Sequence, residues 1–113
     1  KPMAKTIRIC KAVIRCVALL DRHDQNCCIR IDLYTLSMGS CYECVLGQLY
    51  GNFAAGCRAL KIPRMWRDCT YWGFDKLVRR NEEPPGDRWF DLTKQWREAI
   101  VVERKKHANK QNS

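Results

Sequence analysis

The stretch SCYECVLGQLYGNFAAGCRAL, residues 40–60, constrains the fold more than any other part of the chain. Tyr42, Leu46, Leu49, Tyr50, Phe53, Cys57 and Leu60 recur at helical spacing, so a helix over 41–59 would gather them on one face and leave Gln48 and Asn52 outside. Ser40 is placed to accept from the first free N–H groups of that helix, with Glu43 as its capping-box partner. Gly47 and Gly51 each cost about 1 kcal/mol of helix propensity relative to Ala. That cost fits close approach of another backbone, a bend, or a helix that stops early near Gly51. Close helix packing is the expectation.

On the N-terminal side, Ile7, Cys10, Ile14, Val17 and Leu20 repeat at three and four residues, with Arg8, Lys11, Arg15 and Arg22 mainly on the other side. This predicts an amphipathic helix over 4–22; its β-branched content also suits a strand, for which nearly twenty residues is long. Residues 29–38 alternate Ile29, Ile31, Leu33 against Arg30, Asp32, Tyr34, and read as a short extended segment or an irregular packing loop. Residues 61–78 contain Pro63 and Gly73 and read as short helical turns beneath a loop. RRNEEPPG, residues 79–86, is a linker by composition. Asp87 then caps a last helix over 88–106, on which Trp89, Leu92, Trp96, Ala99 and Ile100 share a face and Arg104, Lys105 and Lys106 meet the negative end of the dipole.

With 113 residues, 46% of them apolar, the chain suffices for one hydrophobic core. The predicted fold is mainly α: a small single-domain bundle over 1–113 of about three main helices with long packed connections. Leu46, Leu49, Phe53, Leu92, Trp96 and Ile100 are its expected centre, and residues 1–3 and 108–113 are expected to fray. No apolar run approaches the roughly 20 residues that cross a bilayer, so no membrane role is expected.

The order of several words carries a resemblance: ALLD at 18–21, RIDLYTL at 30–36, CVLGQLYG at 44–51, GFD at 73–75, and the L...W...I spacing of 92–100. Together they resemble small uncharacterised proteins of actinobacterial phages and prophages. The chain departs from that group at Cys27 and Cys28, where Gly-Trp is expected, at Tyr34, where an acid is usual, and in its basic balance. The resemblance implies a viral or prophage origin, a cytoplasmic life in a bacterial host, and a protein that binds and redirects a host macromolecule. It brings no catalytic residue.

Net charge is +9 and unevenly spread: residues 31–57 carry two acids and no Lys or Arg, whereas 58–81 carry seven Lys/Arg against two acids. Arg58, Lys61, Arg64, Arg67, Lys76, Arg79 and Arg80, interleaved with Trp66 and Tyr71, are therefore the candidate partner-binding residues. An acidic host protein is the first expected partner and nucleic acid the alternative, since arginines pair phosphates while exposed rings stack bases.

Eight cysteines supply the remaining chemistry. Cys41 and Cys44, three apart at a helix start, could hold zinc with Cys57 and Cys69, although a second close pair is missing. The same pair could be a redox dithiol; the even count also suits four bridges in an oxidising compartment, but cysteines inside periodic helices favour buried free thiols in a reducing one. Adjacent Cys27 and Cys28 suit a partly exposed, reactive pair better than a mutual bridge. His23, between Asp21 and Asp24, reads as a solvated turn histidine, and His107 as part of the basic tail. The expectation is a non-enzymatic protein with no required cofactor, zinc being the one cofactor the cysteines could accommodate.

Overall fold

A computed structural model describes residues 9–75 and 88–111 and contains six helices and no strand among them: α1 (Lys11–His23), α2 (Cys27–Arg30), α3 (Val45–Tyr50), α4 (Phe53–Leu60), α5 (Trp66–Tyr71) and α6 (Arg88–Gln111). The expected mainly α single-domain fold is what forms. The whole of the expected linker, Asp87 and the first eight residues of the chain lie outside the described residues.

In α1 the buried stripe is Val13, Cys16, Val17 and Leu20. Val17 and Leu20 are buried as expected, but Val13 and Cys16 take the place of Cys10 and Ile14 in the first turns: Cys10 is exposed and ends the extended approach to the helix, and Ile14 is 55% exposed. Both sets satisfy three- and four-residue spacing, and adjacent residues differ by about 100° around a helix. The choice therefore comes from what α1 packs against. Its first turn meets Gly73, where an added Cβ would lie 3.0 Å from the Val13 nitrogen.

The helix expected over 41–59 is two helices. Cys44 caps α3, its Sγ accepting from the Gly47 N–H at 3.3 Å. Gly51 stops α3 at φ 98°, a conformation that side-chain-bearing residues rarely adopt. Asn52, expected on the outer helix face, instead starts α4 by accepting from the Ala55 N–H at 2.8 Å. Ser40 does accept from the Tyr42 and Glu43 N–H groups, closing a turn ahead of α3. The glycines divide the work: Gly51 breaks the helix, while Gly47 admits the backbone of Cys41 and Tyr42. Gly56 likewise lets α4 close on α3, since a Cβ there would lie 2.6 Å from the Cβ of Leu46.

The long α6 is the common support. Leu92, Trp96 and Ile100 are fully buried with Leu46, as expected, while Leu49 and Phe53 pack against that core half-buried. Trp96 stacks on Phe74 (6.1 Å between centroids, 3° between planes), Phe74 meets Phe53 edge-on, and the Trp96 indole N–H donates to the Gly73 carbonyl at 2.7 Å. The connection between α2 and α3 is a series of turns whose backbone groups find side-chain partners. Arg104 donates to the carbonyls of Cys28 and Ile31, Arg97 to that of Leu33, and the Thr93 hydroxyl accepts from the Met38 N–H. Arg104 thus serves the α2 end rather than the end of its own helix, which continues to Gln111.

In an ordinary helix interior Gly→Ala stabilises by about 1 kcal/mol. At Gly47 the Cβ would sit 2.5 Å from the Cys41 carbonyl oxygen, so the sign reverses. We expect Gly47→Ala to lose about 1–3 kcal/mol in urea unfolding; a stabilised variant would contradict the packing described.

Candidate functional site

The basic segment runs along the corner from α4 to α5. Arg58 lies in the last turn of α4, Lys61 caps that helix in the left-handed conformation, Arg64 follows in the loop, and Arg67 is in the first turn of α5. All four are exposed, and none has a carboxylate within ion-pair distance among the described residues. Lys76, Arg79 and Arg80 lie outside the described residues. Two large apolar side chains share the corner, Met65 at 64% and Tyr71 at 52% exposure. Arg15 of α1 joins them: its guanidinium sits 3.7 Å from the Tyr71 ring centroid and donates to the Tyr71 carbonyl at 2.6 Å. Trp72 is half-buried and Phe74 buried, so both belong to the interior more than to a stacking surface.

The cysteines are all free thiols. Cys41 is exposed, Cys69 half-buried, and Cys44 and Cys57 buried. Among the described residues, no three of these four sulfurs come within 4.8 Å of one another, so the fold does not gather the zinc shell their spacing could have supplied. Cys41, Cys44 and Cys69 instead line a cavity of about 240 Å³ together with Phe53, Phe74 and Trp89. Burial pushes the Cys57 thiol up to about 11, with Cys69 adding to the effect, and it raises Cys44 and Cys69 as well. Cys16, packed near Cys27 and Cys57, is raised further by the same desolvation. Such thiols stay protonated at neutral pH and act as small hydrophobes. Cys27 and Cys28, expected to be partly exposed, are 1% and 3% exposed with sulfurs 3.9 Å apart. Their neighbourhood explains the difference, since α2 is held under α6 by the Arg104 contacts.

One constellation joins residues that the sequence leaves apart. The His107 Nε2 lies 3.2 Å from Asp21 Oδ1 and 3.6 Å from Glu103 Oε2, bringing the end of α1 to α6. Glu103 and His107 are one helical turn apart, a spacing visible in the sequence. Asp21, more than 80 positions away, becomes their neighbour only when α1 packs on α6. His23 remains exposed and takes no part.

Comparison of the chain with protein-family models, with curated proteins and with solved structures gave no match. The fold therefore defines the class, a small, mainly α-helical, cysteine-rich domain. No described helix is long and apolar enough to cross a membrane.

Two outcomes follow from the thiols. Mild alkylation of the reduced protein, mapped by mass spectrometry, should label Cys10 and Cys41 first and leave Cys16, Cys27, Cys28 and Cys57 protected until unfolding; early labelling of the protected group would refute their burial. The pH dependence has a definite sign. The folded state holds the Cys57 proton to about 11, whereas the unfolded thiol loses it near 9.0. Its contribution is complete below the unfolded value and is lost as pH rises from about 9 to 11, with Cys16, Cys44 and Cys69 raised in the same direction. Thermal melts in reducing buffer should fall across that range.

Proposed function

We propose that the protein is a non-enzymatic, phage-type accessory protein whose α4–α5 corner binds an acidic surface of a host protein. The observation that carries this reading is the surface itself: Arg58, Lys61, Arg64 and Arg67 are exposed, without an ion-pair partner among the described residues, beside exposed Met65 and Tyr71. Arginine, tyrosine and methionine are enriched at protein interfaces, where an apolar centre excludes water and the charges around it select the partner. Arg15 against Tyr71 holds that ring in place, which reduces the ordering cost of an encounter. The resemblance to actinobacterial phage proteins supports a bacterial cytoplasmic host component as the target. Eight free cysteines, five of them buried, are consistent with a reducing compartment.

Nucleic-acid binding is the second reading, favoured by the four exposed cations. The Arg15 guanidinium already covers one face of the exposed Tyr71 ring, leaving less of it to stack on bases, so the protein partner is preferred.

The test compares the wild type with an Arg64→Glu, Arg67→Glu double variant. Proteins captured from an actinobacterial lysate are identified, and the candidate is purified and titrated against both forms. Charge reversal should weaken binding at least about tenfold while leaving the melting temperature unchanged, because both side chains are exposed. Equal binding by the two forms would exclude this surface. Tight binding to unrelated duplex DNA, with a steep linear loss on a log–log salt plot, would favour the second reading.

A further inference from the structure

We propose that Asp21, Glu103 and His107 form a binding site for one divalent transition-metal ion, separate from both the basic corner and the cysteines. Among the described residues this is the one group of three metal-ligating side chains whose donor atoms all lie within 4.8 Å of one another. The spacing suits a shared ion. Donors bound at 2.0–2.2 Å and separated by bond angles of about 90–120° lie roughly 3.0–3.7 Å apart. The distances from His107 Nε2 to Asp21 Oδ1 and to Glu103 Oε2 are 3.2 and 3.6 Å.

The chemistry of the set is also specific. Two carboxylates and one imidazole offer hard and borderline donors, suited to Zn²⁺, Co²⁺ or Mn²⁺, whereas soft monovalent ions would choose the thiols. Glu103 and His107 project from consecutive turns of α6, and Asp21 closes the site from the last part of α1. All three are half-buried, so their rotamers are restricted without being sealed from solvent. Lys106 and the buried Cys28 thiol are titratable neighbours, the former on the groove and the latter within reach of the fields of Glu103 and Asp21. Neither completes the triad.

Three protein ligands leave a tetrahedral ion at least one position for water or a small anion. Asp21 and Glu103 also line a groove of about 360 Å³ between α1 and α6, whose walls include Ile14, Val17, Ala18 and Val102. An ion held there would staple two helices distant in sequence and stand at an apolar groove.

The experiment is a Co²⁺ titration of the full reduced chain, followed by visible and near-ultraviolet absorption and by thermal melts. The proposal expects saturation at one ion per chain, visible ligand-field bands without sulfur-to-cobalt charge transfer, and a higher melting temperature. Glu103→Gln with His107→Gln, and separately Asp21→Asn from the other helix, should each weaken binding at least about tenfold. Their circular dichroism without metal should match the wild type. Cys41→Ser with Cys44→Ser should bind as the wild type does. No saturable binding at millimolar Co²⁺, a thiolate charge-transfer band, or unchanged affinity in folded ligand variants would each overturn the site.

Discussion

The backbone between α2 and α3 depends on α6. Residues 31–44 form no regular helix, so their N–H and C=O groups need partners that a helix would otherwise have supplied. Some pair with backbone, as Ser37 N–H does with the Glu43 carbonyl, and others with side chains: Thr93, Arg97 and Arg104 along α6, and Gln48 of α3, whose amide both accepts from and donates to the Asp32 backbone. An unpaired buried backbone group costs about 1–3 kcal/mol, so these contacts are a condition of laying the segment over the core. They also account for charge on the half-buried part of α6, where a simple amphipathic pattern would place apolar residues.

Around that support the apolar contacts converge on Trp96. Its ring is fully buried, stacked on Phe74, and its one polar atom is satisfied by Gly73, the same glycine whose missing side chain lets α1 approach. The turn after α5, the start of α1 and the middle of α6 therefore meet at one place. This arrangement leaves the α4–α5 corner facing outward with its cations, while the thiols of α1, α2 and α4 are drawn inward. Charge and thiol chemistry, mixed along the sequence, are separated in space.

Much of this was legible in residue spacing. The helical class, the burial of Leu46, Leu92, Trp96 and Ile100, and the exposure of Arg58, Lys61, Arg64 and Arg67 agree with period and charge. The division at Gly51 was legible only as one of several options, because a helical glycine can mark close packing, a bend or a stop, and this chain uses two neighbouring glycines for two of these. The cysteine spacing pointed toward zinc, but the four candidate sulfurs are dispersed between surface, cavity edge and core. Spacing along a chain constrains ligands on one turn; it does not bring separate turns together.

The sequence by itself determined the helical class, how many residues the core could recruit, and where cations would remain in water, because these depend on local period and on the cost of burying charge. Tertiary structure alone decided which residues are buried in the first turns of α1, the burial of Cys27 and Cys28, and the meeting of Asp21 with Glu103 and His107. The reason is common to all three. Each depends on which surface faces a helix far away in sequence, and several rotations of one helix satisfy the same local pattern until the partner's shape selects among them.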